Sequence, residues 1–121
     1  MRDLDTRERA DLLRLLGHPT RLVILEGLAR GVKCVTDMRD LLDIPQPNVS
    51  QHLAVLRQAR IVDYYEDGRL RCYYLLRPAL VEALLGFLSG DYPAVRRDRR
   101  DVRQEGRLRG PHRGPPKACG V

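Results

Sequence analysis

The hydrophobic positions of the chain follow a helical period on both sides of its central region. Apolar residues three and four apart predict helices over 6–16, 19–29 and 78–89. Pro19 stands at the start of the second of these helices and Gly31 just beyond its end, which are favoured places for these two residue types. The spacing therefore predicts two helices before the central region and one after it.

The period changes to that of β-strands in the second half of the chain. Valine, isoleucine and tyrosine are frequent over 61–66 and 69–76, and these residue types favour strands. Asp67 and Gly68 lie between the two runs, and Asp-Gly is a strong signal for a two-residue hairpin turn. The pattern predicts a β-hairpin.

The most informative stretch is 37–56, DMRDLLDIPQPNVSQHLAVL. It predicts two short amphipathic helices separated by a tight turn that contains proline, which is a helix-turn-helix. At about 100° per residue, the second helix has aliphatic residues on one side and carboxamides on the other. The aliphatic set is Val49, Leu53 and Leu56, and the carboxamide set is Asn48, Gln51 and Gln58. Carboxamides near the start of a helix match the base edges in the major groove, so they are candidate base contacts.

Other polar residues near this helix are candidates for contact with the DNA backbone. Ser50 and His52 lie at the border between the two faces, where phosphate contact or a packing role is expected. Arg69 and Arg71 flank the predicted turn and either meet phosphate or the minor groove, or are solvated strand ends. The complete predicted DNA-binding set is Gln46, Asn48, Ser50, Gln51, His52, Arg57, Gln58, Arg69 and Arg71.

The order of these elements predicts a mainly α fold with a small β-hairpin wing: a winged helix-turn-helix with extra N- and C-terminal helices. Two segments carry a closer resemblance. LLGHPTRLVILEGLARG resembles the second-helix signature of the ArsR/SmtB family of small dimeric repressors, and PNVSQHLAVLRQARIVDYYEDGRLRCYYL resembles its recognition helix and wing. The resemblance covers about residues 8–77. It implies a repressor that binds operator DNA and leaves it when a metal, metalloid, thiol oxidant or persulfide binds.

A dimer is also expected from the leucines of the first and last helices, which exceed what a core of this size needs. A self-complementary apolar patch is most simply buried across a two-fold axis; the alternative is that these leucines cover the domain's own core. The predicted interface residues are Leu12, Leu13, Leu16, Leu80, Leu84, Leu85 and Leu88. Two-fold symmetry predicts double-stranded operator DNA with an imperfect palindrome, its half-sites about one helical turn apart.

Composition and charge predict the size of the core, the location of the protein and its division into a domain and a tail. The 121 residues, 43% of them hydrophobic, allow one modest core, and no apolar run is long enough to cross a membrane, so we expect a cytoplasmic protein. The chain has a net charge of +6. Residues 90–121, with nine Lys or Arg and four acids, carry +5 of it. We predict a winged helix-turn-helix domain for DNA binding and dimerisation over 1–96. Over 97–121 we predict a basic, disordered Arg/Gly/Pro-rich tail, either a solubilising extension or a nonspecific phosphate tether.

Other functional classes find less support in the sequence. It contains no Gly-rich phosphate loop, no HExxH and no GxSxG, which predicts that the protein is not an enzyme. Two alternatives to an inducible repressor stay open. One is a winged-helix regulator without a metal site, constitutive or controlled by a small organic molecule, and the other is a winged helix that binds a protein instead of DNA.

The chain keeps only part of the metal-ligand patterns of the family. In arsenic- and cadmium-responsive members of the family, the helix after the second one begins Cys-Val-Cys-Asp, whereas 34–37 here reads Cys-Val-Thr-Asp. The last helix also lacks the Asp and His of zinc-responsive members. A short strand before the helix-turn-helix would bring Cys34 beside Cys72, where they can form a disulfide or, with Cys119, bind a soft ion.

DNA binding is expected to need no cofactor. Arsenite or another soft metal ion, or else an oxidant or persulfide, is the predicted inducer, and Cys34, Cys72 and Cys119 are the candidate sensing residues. Two ordinary buried cysteines and a stray tail cysteine are the alternative. One further departure concerns Arg60, where the family usually has Gly. A left-handed backbone at that position would cost Arg60 roughly 1 kcal/mol relative to Gly.

Overall fold

In the computed structural model, which describes residues 4–42 and 46–109, helices precede and follow a small sheet. Contacts between residues of the chain divide it into two compact units, Met1–Gly90 and Asp91–Val121. The helices are α1 (Thr6–Leu16), α2 (Pro19–Ala29), α3 (Val35–Leu42), α4 (Gln46–Gln58), α5 (Pro78–Leu88) and α6 (Arg99–Arg109), and the strands are β1 (Lys33–Cys34), β2 (Val62–Asp67) and β3 (Leu70–Leu75). The predicted mainly α winged helix-turn-helix with added terminal helices is confirmed.

The helix starts follow from local chemistry. Asp5 accepts a hydrogen bond from the Glu8 backbone N–H at 2.8 Å, and the Glu8 carboxylate accepts one from the Asp5 N–H at 3.2 Å, which forms a capping box at α1. At α2, Nδ1 of His18 accepts the Thr20 N–H at 3.1 Å, directly before Pro19. These contacts satisfy backbone donors that a helix start leaves without partners.

The described strands form one antiparallel sheet in the order β1-β3-β2. In the hairpin, Asp67 pairs with Leu70, so the turn consists of Gly68 and Arg69 and lies one residue later than predicted. Gly68 has φ of 64°, a conformation that glycine adopts without steric cost. A positive φ at the first turn position suits the right-handed twist of a two-residue hairpin.

The core lies where α2, α4 and the sheet meet. Fully buried residues include Ile24 and Leu25 of α2, Ile61, and Val81 of α5, which packs against α2. Leu16 is only 3% exposed and belongs to this core. Its assignment to a dimer interface is therefore wrong, because its apolar surface is already buried within its own chain.

The other leucines of the predicted interface divide into two groups. Leu13 and Leu88 are 66% and 51% exposed. The rest are half-buried and pack against the chain's own core, as the alternative interpretation expected: Leu12, Leu80, Leu84 and Leu85. The exposed apolar surface of α1 and α5 is thus narrower than the sequence predicted.

The second unit contains a helix where the composition predicted disorder. Arg99–Arg109 forms α6, so the prediction of a disordered tail over 97–121 is wrong for this segment. Asp98 accepts the backbone N–H of Asp101 at 2.8 Å near the helix start, and Arg97 pairs with Glu105. These local polar contacts stabilise α6, whose side chains from 99 to 104 are exposed. The remainder of the predicted tail lies outside the described residues. The boundary between 96 and 97 remains a prediction.

Within the described ranges, no helix combines the length and the apolar character needed to cross a membrane.

Candidate nucleic-acid interface and thiol pair

The second helix of the helix-turn-helix, α4, has the two faces that its sequence predicts. Val49, Leu53 and Leu56 are 0% exposed and anchor the helix in the core. Four polar residues outside this buried face are exposed: Asn48, Ser50, Gln51 and Gln58. The side chain of Gln46, which was also predicted to contact DNA, lies outside the described part of the chain. The anchored apolar side leaves the carboxamides of Asn48, Gln51 and Gln58 exposed to solvent.

His52 has a packing role. Its Nδ1 accepts a hydrogen bond from Nε of Arg21 at 3.2 Å, and its ring lies 4.4 Å from that of His18. Burial lowers the pKa of His52 below its ordinary 6.5, and the charges of His18 and Arg21 lower it further. Arg21 also donates to the carbonyl of Leu15 at 2.9 Å. These contacts join α2 and the end of α1 to α4. The bond from Arg21 also occupies Nδ1 of His52.

Arg57, near the end of α4, is engaged with the wing. Its Nε donates to Oδ1 of Asp63 at 3.0 Å, and its guanidinium lies 4.5 Å from the centre of the Tyr64 ring. This hydrogen bond is the main reason that the pKa of Arg57 is raised and that of Asp63 lowered. The side chain of Arg57 is still 51% exposed. It can therefore contact a further acceptor while it stays bound to Asp63.

The wing supplies two more cations close to Arg57. Arg69 in the turn and Arg71 in β3 are both exposed, and the guanidinium of Arg71 lies 4.6 Å from the centre of the Tyr64 ring. Ser50, Arg57 and these two arginines line a cavity of about 360 Å³ between α4 and the hairpin. The structure thus brings four of the nine predicted DNA-binding residues to one groove: Ser50, Arg57, Arg69 and Arg71.

Cys34 and Cys72 are brought together as the sequence predicted. They are register partners on β1 and β3, with their Sγ atoms 2.9 Å apart, and both are free thiols. The hydrogen bond to Cys72, followed by burial and by the negative charges of Cys72, Asp37 and Asp67, raises the pKa of Cys34 to about 11. The pKa of Tyr65, opposite Cys72 on β2, is raised mainly by the charge of Cys72.

A complete metal site is not formed by the part of the chain that the structure describes, in which no group of three or more His, Cys, Asp or Glu residues converges. The third candidate thiolate, Cys119, lies outside that part. Two thiols without a third ligand fit disulfide formation or the binding of an ion that takes further ligands from solution.

Three residues of the site were missed by sequence reasoning: Arg21, Asp63 and Tyr64. Arg21 stands next to the His-Pro-Thr run that starts α2, and Tyr64 follows the first residues of the hairpin, so both are present in segments that the sequence singled out. Their partners, however, lie 31 and 7 residues away, in other elements. A pattern along the chain does not register such pairs.

Comparisons with known proteins agree with this geometry. A family model described as "Bacterial regulatory protein, arsR family" matches residues 18–64. The chain is 38% identical over 76 residues to an uncharacterized HTH-type transcriptional regulator of Methanocaldococcus jannaschii, with 62% of this chain and 85% of that regulator covered. It is 42% identical over 80 residues to the biofilm growth-associated repressor of Agrobacterium fabrum, with 64% and 68% covered.

The fold also matches that of solved regulators. The crystal structure of the transcriptional repressor BigR from Xylella fastidiosa superposes with a TM-score of 0.61 at 34% identity. The match covers 73% of this chain and 91% of that one. The relatives named here are regulators or repressors of transcription and not enzymes.

Proposed function

We propose that this chain, which belongs to the ArsR family of bacterial regulatory proteins and is a transcriptional repressor of that family, binds its operator through α4 and the hairpin as a homodimer. The observation that carries this proposal is the exposed carboxamide face of α4 beside an arginine-lined groove. Base edges in the major groove require donors and acceptors of this kind, and the flanking phosphates require cations. A homodimer would place two such helices on a palindromic site.

The DNA-binding half of the proposal is tested with duplex selected from a randomised pool by the wild-type chain. Asn48→Ala and Gln51→Ala are expected to weaken binding by about 1–3 kcal/mol each, because each removes a base contact. Glu26→Ala, an exposed polar position of α2, is the matched control and should bind like wild type. Circular dichroism checks that each variant is folded. Wild-type affinity in both carboxamide variants would exclude Asn48 and Gln51 as base contacts. A wild-type chain that enriches no duplex from the pool would favour a winged helix that binds a protein partner.

For the inducer, we infer that it acts on the thiols of Cys34 and Cys72. Regulators of this family often release DNA when a metal ion binds, so an ion is one candidate. The thiol pair favours a soft ion such as arsenite, or an oxidant or persulfide, over zinc. Cys34 directly precedes α3, and Cys72 follows Arg71 in β3. A bond formed between these positions would therefore act on both the start of the helix-turn-helix and the wing.

Fluorescence anisotropy of the DNA complex distinguishes these inducers. The reduced protein is titrated separately with arsenite, with zinc and with a low-molecular-weight disulfide or persulfide donor. We expect the effective reagent to release DNA from the wild-type protein but not from Cys34→Ser or Cys72→Ser. The thiol pair would give two electrons and two protons to a disulfide reagent, which leaves as two thiols. Mass spectrometry detects the new disulfide as a loss of two hydrogen atoms from the protein. Unchanged binding with all three reagents would leave a constitutive regulator or an organic inducer.

A further inference from the structure

Two arginines from different elements share one aromatic ring. The guanidinium carbon of Arg57, in α4, lies 4.5 Å from the centre of the Tyr64 ring, and that of Arg71, in β3, lies 4.6 Å from it. Tyr64 itself belongs to β2. A single side chain of the hairpin therefore holds one cation of the helix and one cation of the wing.

The ring that holds them is itself fixed. Tyr64 is half-buried, packs against the core and lies 5.3 Å from the buried ring of Tyr73. Asp63 adds a second restraint, because its Oδ1 accepts both the Nε–H of Arg57 at 3.0 Å and the backbone N–H of Tyr64 at 2.8 Å. With Nε occupied, the Nη groups are the donors that Arg57 can offer to a ligand.

The space in front of the pair is a groove that suits an anion. Its cavity of about 360 Å³ is lined by Arg57, Arg69 and Arg71 together with the hydroxyl-bearing Ser50. A phosphodiester presents oxygen acceptors to the planar N–H edge of guanidinium, and an arginine stacked on an aromatic face keeps that edge available. Ser50, which lines the groove, directly precedes Gln51, a predicted base contact, so a DNA strand that meets α4 there passes close to the groove.

We propose that Arg57 and Arg71 bind the phosphate backbone of one DNA strand as a unit, with Tyr64 as the positioning residue that holds both before DNA arrives. The inference rests on the proposed function, since it needs the chain to bind DNA through α4 and the hairpin. Holding both side chains in place reduces the rotamer freedom that binding would otherwise remove. The unit also ties the spacing between recognition helix and wing to the geometry of the phosphate backbone.

The first test is the salt dependence of binding to the DNA selected by wild type. Each phosphate contact contributes about 0.9 to the slope of log affinity against log salt concentration. We expect Arg57→Gln and Arg71→Gln each to lower the slope by about 1 per half-site. Both side chains are exposed in the free chain, so these variants are expected to fold. Glu26→Gln, at an exposed position of α2, is the control.

The second test concerns the ring. Tyr64→Phe keeps the aromatic face and should bind like wild type, whereas Tyr64→Leu should weaken binding by about 2- to 5-fold for each arginine released. In the Tyr64→Leu background, Arg71→Gln should cost less than in wild type, which a double-mutant cycle measures. Tyr65→Leu, an exposed tyrosine at the adjacent position of β2, is the matched control.

Lysine variants keep the test decisive if Tyr64→Leu does not fold. Arg57→Lys and Arg71→Lys keep the charge but lose the planar fork. They should retain the salt slope and bind about 2- to 5-fold more weakly. Wild-type affinity in the lysine variants would overturn the stacked pair of guanidinium groups, since only arginine keeps a planar N–H edge free while it stacks on Tyr64. Unchanged salt slopes in Arg57→Gln and Arg71→Gln would overturn the proposed phosphate contacts of these two arginines. They would not overturn the proposed function, because the wild-type chain still binds DNA. Absence of DNA binding by wild type would overturn the proposed function as well.

Discussion

Arg60 adopts a left-handed backbone conformation, with φ of 61°, just after α4. The N–H of Arg60 bonds the Arg57 carbonyl at 2.9 Å, and the N–H of Ile61 bonds the Leu56 carbonyl at 3.0 Å. This pair of hydrogen bonds is the Schellman arrangement that ends a helix, in which the left-handed position is usually glycine. The chain therefore keeps a glycine-type helix end with an arginine in it, at a steric cost from Cβ.

Arg60→Gly should raise the free energy of unfolding by about 1 kcal/mol, because glycine adopts this backbone conformation without the clash of Cβ. Urea unfolding followed by circular dichroism measures the change. Arg60→Ala retains Cβ and serves as the control, with no comparable gain expected. A glycine variant no more stable than the alanine variant would show that the left-handed conformation carries no cost here.

At the same scale, the chemistry of Cys34 depends on its partner. Its pKa is raised from an ordinary 9.0 to about 11, first by the hydrogen bond with Cys72. The folded chain therefore holds this proton more tightly than the unfolded chain. The stability linked to the proton is fully present below pH 9 and is lost as the pH rises toward 11.

The rate of alkylation of Cys34 by iodoacetamide should therefore still increase between pH 9 and pH 11, since the thiolate is the reactive form. In Cys72→Ala the midpoint should move back toward 9.0 because the main cause of the shift is absent. Mass spectrometry of the alkylated peptide reads both profiles. Identical profiles in the two proteins would contradict a coupled thiol pair.

At the scale of elements, Arg21 and His52 connect the helices in front of the helix-turn-helix to α4. The connection uses a lone pair of the imidazole, since Nδ1 of His52 accepts from Arg21. Protonation of Nδ1 removes that acceptor and places a positive imidazolium beside a guanidinium. Burial, and then the neighbouring charges of His18 and Arg21, lower the pKa of His52.

Acidification should consequently destabilise the fold. The unfolded chain takes up the proton of His52 near pH 6.5 and the folded chain only at lower pH, so stability is complete above 6.5 and falls as the pH drops through the folded pKa. In His52→Gln the dependence of urea unfolding on pH should be flatter over this range. His112→Gln, in the C-terminal segment, is the control and should follow wild type. If His52→Gln shows the same pH dependence of stability as wild type, His52 is excluded as the source of that dependence.

At the scale of the molecule, the exposed apolar residues of α1 and α5 bear on assembly. Leu13 and Leu88 are 66% and 51% exposed, on the two helices that were expected to form the dimer. Most of the other leucines there already cover the chain's own core. The dimer interface is therefore expected to centre on these two residues, and burial of each would stabilise it by about 1.5–3 kcal/mol.

Leu13→Glu and Leu88→Glu should each shift the chain from dimer to monomer, with at least about a tenfold rise in the dissociation constant. Sedimentation velocity over a range of concentrations measures the shift, and circular dichroism verifies folding. Val102→Glu changes an apolar residue of α6 that is similarly exposed, 52%, and should leave the equilibrium unchanged. A dimer that survives both leucine substitutions would place the interface elsewhere.

Local signals determined much of the architecture. The bounds of α1 and α2 agree with the prediction because proline, glycine and the capping residues act on neighbouring backbone groups. The two faces of α4 agree because helical periodicity depends only on spacing. The hairpin turn was misplaced by one residue, since strand register depends on pairing across the sheet as well as on the turn sequence.

Tertiary structure decided which distant side chains meet. The sequence offered Cys34 and Cys72 as partners only through an expected short strand, and the register of β1 with β3 makes the contact. Nothing local indicated that Tyr64 holds two arginines or that Arg21 reaches His52. Leu16 carries the same helical signal as Leu13, yet one is buried and the other exposed. Periodicity reports a residue's face of its own helix, whereas burial and partners depend on what the rest of the chain places against that face.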